Sequence, residues 1–238
     1  MARRRFFVDA ICGGTAELRG DEARRLARVL RVEPGQQFEI SDSRTAWLAE
    51  IVEVRPEYVA FRVVEPVPPV EAPVTVILYA ALTKFDRFEW LVEKATECGV
   101  ETIVPVEAAR TEKGLLEASR KRAARWERIA REASQQSRRT RIPAIAEAIR
   151  LEHALKAERD LRFFLDEAES RPLLKLLPDP RGERRIALLV GPEGGWTDAE
   201  REQAHAAGWQ PASLGTTILR AETAATVAVA LLINAWMG

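Results

Sequence analysis

LLVGPEGGWT, residues 188–197, and SLGTTILRAETAA, residues 213–225, decide how this chain is read. In the first, an apolar strand runs into a glycine-rich turn, and Thr197 with Glu200 opens a helix at capping-box spacing. In the second, Leu214-Gly215 ends a short strand, a bend follows, and an apolar helix starts near Glu222. Glycine lets a backbone approach a ligand closely, and consecutive amides grip a polar group. Parallel sheets bind ligands in crevices beyond the carboxyl ends of their strands. A plain strand-to-helix turn would read the same way, so the first segment alone fixes no site. No GxGxxG follows a strand and no GxxxxGKS/T occurs, which removes the main support for dinucleotide and P-loop readings. Arg220 stands at the mouth of the second helix, where a positive side chain opposes the helix dipole. It either pairs with Glu222 on the surface or serves a ligand.

Working outward, apolar strands alternate with helices from Val74 onward. The strands are Val74–Ala81, Ile103–Val106, Leu161–Leu165, Ile186–Val190 and Ala212–Leu214. Between them lie helices at Asp86–Cys98, capped by Asp86 with Glu89 and closed by Gly99, at Leu115–Ser137 and at Thr197–Ala207, with Ala221–Met237 last. This alternation predicts an α/β domain with a mostly parallel sheet covered on both faces. Residues 1–70 read differently, with strands Arg5–Val8, Gln37–Ser41, Trp47–Val54 and Tyr58–Val64 around a helix Asp21–Leu30, which suggests a small β-barrel. EPVPPVEAP, residues 65–73, carries four prolines and is the predicted linker, giving domains 1–70 and 74–238.

The 238 residues are 47% apolar and 30% charged, within the range of an ordinary globular protein. Cys12 and Cys98 lie in unrelated patterns, the start is too poor for a signal peptide, and the longest apolar run, Ala224–Ile233, is short of the ~20 residues a membrane span needs. These features predict a cytoplasmic protein with no membrane partner. His153 and His205 show no ligand spacing, so no metal is predicted. Charge balances at 36 basic against 36 acidic residues, but its distribution does not. Residues 1–31 hold eight Arg against four acids, a net of +4, and residues 120–141 hold nine Lys or Arg against two Glu, a net of +7. Such segments are either solvated helix faces or a footprint for a phosphate backbone.

The pair GPEGGW and LGTTILRAETA resembles the signature of the bacterial ribosomal small-subunit uridine-N3 methyltransferases, the RsmE family of the SPOUT superfamily. The resemblance covers essentially the whole chain. RRFFV at 4–8 is similar to the family's opening, and VLRVEPGQQFEI at 29–40 to its N-terminal RNA-binding PUA-like barrel. KFDRFEWLVEKATECGV at 84–100 and REASQQSRRTRIPAI at 131–145 resemble two further family stretches in the same order. The chain departs from the pattern at Arg25, where His is usual, at Cys98, where Leu is usual, and at Thr216-Thr217, where Pro-Arg is common.

The resemblance implies a C-terminal SPOUT domain with a deep trefoil knot behind a small PUA-like barrel. It implies that S-adenosylmethionine binds three loops carrying Leu165, Asp166 and Glu167, then Val190, Gly191, Glu193, Gly194 and Gly195, then Leu214, Gly215, Ile218 and Leu219. It further implies transfer of a methyl group to N3 of a uridine in 16S ribosomal RNA, and a homodimer through helix 222–237. That nitrogen is a poor nucleophile until deprotonated, so Arg220 suits charge stabilisation on the uracil oxygens, while Glu193, Glu222 or water remains open as proton acceptor. Expected RNA contacts are Arg3, Arg4, Arg5, Arg24, Arg28, Arg31, Lys84, Arg87, Arg138, Arg139 and Arg141. The rival readings are a SPOUT enzyme acting on transfer RNA and a non-catalytic RNA-binding assembly factor.

Overall fold

A computed structural model of the chain describes residues 4–68, 73–168, 170–179 and 182–237. They fall into two compact units, one drawn from Met1–Glu71 and Ser134–Ile142, the other from Ala72–Ala133 and Pro143–Gly238.

The first unit contains β1 (Arg5–Phe7), β2 (Ile11–Cys12), β3 (Thr15–Arg19), α1 (Gly20–Arg25), β4 (Gln37–Ser41), β5 (Ala46–Arg55) and β6 (Tyr58–Val67), with a π-helical turn over Leu26–Leu30 prolonging α1. Its six strands pair in the order β1-β4-β5-β6-β3-β2. Phe6, Leu18, Leu26, Ile40, Ile51, Val59 and Phe61 form the core beneath the sheet. The strands expected to build a small β-barrel form one sheet whose edge strands β1 and β2 do not pair with each other among the described residues.

The linker expectation is also corrected. Glu65, Pro66 and Val67 belong to β6, which at that end pairs only with β5. Proline survives in a strand where one side is unpaired. Residues 69–72 of the expected linker lie outside the described residues.

Arg5 explains why Ser134–Ile142 belongs to this unit. Its side chain, 6% exposed, gives Nε and Nη2 to Glu39 Oε2 at 3.1 and 2.8 Å, while Nη1 donates to the Arg138 carbonyl at 2.6 Å and to Thr140 Oγ1 at 3.2 Å. Ser41 Oγ donates to the Thr140 carbonyl at 2.7 Å. The expectation that Arg5 contacts RNA is therefore corrected, since its guanidinium is spent inside the protein. Arg5→Ala removes the closest partner of the half-buried Glu39 carboxylate, leaving it Arg138 at 3.6 Å, and loses the contacts to Arg138 O and Thr140 Oγ1. It is expected to cost on the order of 3 kcal/mol, read as a lower denaturation midpoint in urea. An unchanged midpoint would refute this account.

The second unit opens with β7 (Val74–Ala81), α2 (Phe85–Glu97), β8 (Thr102–Glu107), α3 (Leu115–Ser119) and α4 (Ala123–Gln136), the last turn of α4 passing into the first unit. It continues with β9 (Ala144–Ile145), β10 (Ile149–Arg150), α5 (Leu151–Ala154), β11 (Leu161–Leu165), β12 (Arg171–Pro172), β13 (Arg184–Val190), α6 (Asp198–Ala206), β14 (Gln210–Ser213) and α7 (Ala221–Ala235). The strands pair as β10-β8-β7-β13-β11-β14-β12, with β9 also on β8, and every pair is parallel. An α/β fold with a parallel sheet agrees with the periodicity.

Two helix expectations differ. The stretch read as one helix, Leu115–Ser137, breaks between α3 and α4, where Arg120, Lys121 and Arg122 crowd like charges. There Arg122 N bonds Ser119 O at 2.8 Å in a tight turn, and the Ser119 hydroxyl donates to Leu116 O at 2.6 Å, competing with the helical ladder. The Asp86–Glu89 capping box does not form. Helix α2 starts at Phe85 without a side-chain cap, and Glu89 accepts instead from Arg125 Nε at 2.6 Å. Gly99 closes α2 at φ 103°, as its place in the sequence predicts. No described helix is long and apolar enough to cross a membrane.

Candidate active site

Three neighbouring strands of the parallel sheet, β13, β11 and β14, end at Val190, Leu165 and Ser213. Because β11 pairs with both others, the loops leaving them emerge side by side. Between these loops lies a cleft of about 330 Å³, lined at its floor and walls by Leu165–Glu167, Val190–Glu193, Gly195-Trp196 and Ala212–Ala221. The position matches the crevice rule for parallel sheets, and the size lies at the lower end for small-molecule sites.

Local chemistry shapes each loop. A Cβ at Gly191 would lie 2.9 Å from Trp196 Cε2, so the indole fills the space that a side chain would take. That indole is 3% exposed, and its Nε1 donates to the Leu165 carbonyl at 2.8 Å, joining the first loop to the second. Gly195 turns the chain at φ 68°, with Glu167 Oε1 only 2.7 Å from its would-be Cβ. Helix α6 then begins with the expected capping box, Thr197 N donating to Glu200 Oε2 at 2.8 Å. The other carboxylate oxygen of the buried Glu200 accepts from Ala109 N at 2.7 Å.

Charged groups pin the rim. Arg87 pairs with Glu193, and Arg110 donates to the Gly194 carbonyl. The Asp166 side chain, 5% exposed, is clamped by Arg201 through Nε–Oδ2 at 3.0 Å and Nη2–Oδ1 at 3.1 Å. Hydrogen bonding to Asp166, opposed by partial burial, raises the Arg201 guanidinium above its ordinary value. Arg220 is the exposed N-cap residue of α7, extended at φ −63° and ψ 151°, and lines the cleft without capping the helix through its side chain. Ile218, on the same loop, is 82% exposed. A backbone-rich, partly apolar cleft with an exposed arginine on its wall can hold a flat heterocycle and stabilise an oxyanion beside it.

A family profile described as an RNA methyltransferase domain matches residues 70–233. The ribosomal RNA small subunit methyltransferase E of a Synechocystis species is 34% identical over 93% of this chain and 74% of its own. The chain belongs to the ribosomal RNA small subunit methyltransferase E family. The Mycobacterium bovis methyltransferase E is 33% identical over 97% of this chain and 92% of its own length. Among solved structures, the Neisseria gonorrhoeae methyltransferase E bound to S-adenosylmethionine superposes with a TM-score of 0.87 at 29% identity, covering 99% of this chain and 98% of that one. A Legionella pneumophila protein with bound S-adenosylmethionine superposes with a TM-score of 0.89 at 28% identity over the same shares.

In this chain the structure gathers most of the residues that the sequence singles out. Leu165, Asp166, Glu167, Val190, Gly191, Glu193, Gly195, Leu214, Gly215, Ile218, Leu219 and Arg220 all line the cleft, as does Arg87. Gly194 stands just off the lining, with its carbonyl turned to Arg110. Of the two carboxylates considered as proton acceptors, Glu193 lines the cleft, whereas Glu222 is buried and does not. Arg3 lies outside the described residues, and Arg4, Arg28, Arg31, Lys84, Arg138 and Arg141 are exposed. Arg24 is held by Asp21 and Glu57 at 2.9 and 2.6 Å, and Arg139 is half-buried. Sequence reading missed Arg110 and Arg201. Their partners are 84 and 35 residues away, so no local pattern signals them.

Proposed function

We propose that this chain transfers a methyl group from S-adenosylmethionine (SAM) to N3 of a uridine in small-subunit (16S) ribosomal RNA, in the cytoplasm. The observation that carries the reading is the cleft over three adjacent parallel strand ends, walled by glycine-bearing loops and by Arg220. The residues present fit SAM. Gly191 and Gly195 let Trp196 and Glu167 pack tightly against the loop backbone, while Leu165, Val190, Leu214 and Leu219 offer apolar wall to a purine ring. Glu167 supplies negative charge suited to the ammonium and sulfonium groups.

Bound SAM would supply an electrophilic methyl group on sulfonium. The loops around residues 165–167, 191–196 and 214–219 bind and orient through backbone amides and carbonyls, which makes positioning a large part of the acceleration. Arg220 stabilises the negative charge that spreads to a uracil carbonyl oxygen as N3 gives up its proton, because its guanidinium stays charged and presents a rigid fork of donors. Glu193, a cleft-lining carboxylate that pairs with Arg87, and water are the candidate acceptors of that proton.

RNA binding is assigned to Arg4, Arg24, Arg28, Arg31, Arg138, Arg139 and Arg141, with Lys84 and Arg87 on the catalytic side. Phosphate contacts position the RNA, and the base turns out into the pocket. Replacing Arg138, Arg139 and Arg141 together by Gln is expected to weaken RNA binding and flatten its salt dependence by up to about three phosphate contacts. A slope equal to that of the parent protein would detach this segment from RNA.

The same reading includes an RNA-binding N-terminal domain at 1–70, a trefoil knot within 74–238 and a homodimer through helix 222–237. The order of motifs supports the first two. The half-buried apolar Ala224, Val227, Ala230 and Leu231 of α7 support the third. Nucleoside mass analysis of small-subunit RNA from a deletion strain tests the substrate. Loss of 3-methyluridine supports the proposal, and loss of a ribose methyl or of a transfer-RNA mark instead rejects it.

A further inference from the structure

Arg201 does not line the cleft, yet it ties together the loops that do. Its Nε and Nη2 bind the Asp166 carboxylate at 3.0 and 3.1 Å, and its Nη1 donates to the Trp196 carbonyl at 2.9 Å and to Asp198 Oδ1 at 3.2 Å. Asp166 follows β11 and Trp196 follows β13, so one planar fork spans the first and second cleft loops. The Trp196 indole returns the connection by donating to the Leu165 carbonyl. Asp166 is fixed further through its own amide, which donates to Ala212 O of β14 at 3.1 Å, and through its carboxylate, which accepts from Ala168 N at 3.2 Å.

A salt bridge that served only stability would sit anywhere on the surface and be worth little. This one is bidentate, has an acid that is 5% exposed, and holds two ligand-facing turns at once. We propose that Arg201 is a positioning residue for the methyl donor, setting the spacing of the Leu165–Glu167 and Gly191–Trp196 loops through Asp166 and the Trp196 carbonyl. The inference rests on the reading of the cleft as the SAM site. A lysine keeps the charge but cannot span the two loops, since its ammonium is a point donor without the fork.

Calorimetric titration with SAM tests both ideas separately. The parent protein must bind SAM; if it does not, the reading of the site fails, whatever Arg201 does. Given binding by the parent, Arg201→Ala is expected to raise the SAM dissociation constant roughly tenfold, and Arg201→Lys to recover only part of the loss. Asp166→Asn should match Arg201→Ala, and the double variant should lose no more than either single one. Methyl-transfer rate at saturating SAM should change far less than KM for SAM, a split that general destabilisation would not produce. SAM affinity in Arg201→Ala equal to the parent's at a temperature where both are folded by circular dichroism would overturn the proposal. So would additive losses in the double variant. Arg201→Lys, with its charge kept, supplies the same comparison should the alanine variant fail to fold.

Discussion

Arg220→Ala is expected to slow methyl transfer about a hundredfold or more while leaving SAM affinity nearly unchanged. The uracil N3 proton is flanked by two carbonyls, so the charge formed on its loss resides largely on oxygen. A guanidinium at the cleft wall can meet that charge as it forms. Arg220 is exposed, lines the cleft and is not consumed by capping α7 through its side chain, which leaves its guanidinium available. Lysine at this position should recover part of the rate, since it keeps the charge but loses the forked geometry. Single-turnover rates at saturating SAM measure the effect, and a rate equal to the parent's would remove Arg220 from the mechanism.

Gly191→Ala should weaken SAM binding roughly tenfold to a hundredfold, through a different physical route. The added Cβ would lie 2.9 Å from Trp196 Cε2 and 3.2 Å from its Nε1. The indole has nowhere to retreat, being 3% exposed and bonded to the Leu165 carbonyl. Moving it separates the first two cleft loops. Gly194→Ala serves as the control. The nearest atoms to its would-be Cβ belong to Arg110, Cδ at 3.2 Å and Cβ at 3.4 Å, a milder crowding than the 2.9 Å contact at Gly191. Calorimetry should find Gly194→Ala close to the parent and Gly191→Ala far from it, whereas equal affinities would show that crowding at position 191 is harmless.

The parts of this protein that sequence made legible are those encoded locally. A buried strand, a glycine turn and Thr197 with Glu200 are contiguous, and the structure places the resulting loop where the reading expected it. The parallel sheet was legible for the same reason, since apolar strands alternate with helices along the chain. What escaped depends on distance or on competition. Arg5 looks like one more member of a solvated basic run, but the fold buries it against Glu39, 34 residues away. Glu89 sits at perfect capping distance from Asp86, yet Arg125 outbids the backbone for its carboxylate. The break between α3 and α4 turns on one serine hydroxyl and three adjacent cations, a balance too small for periodicity to reveal. Arg110 acts on a loop far from itself along the chain, and Arg201 joins a partner 35 residues away to one five residues away.

The most direct measurement is a crystal structure of the protein grown with S-adenosylhomocysteine. The account predicts ligand density in the cleft between Leu165–Glu167, Gly191–Trp196 and Leu214–Leu219, with the sulfur on the side of Arg220. Clear density at another place on the protein, with that cleft empty, would contradict it.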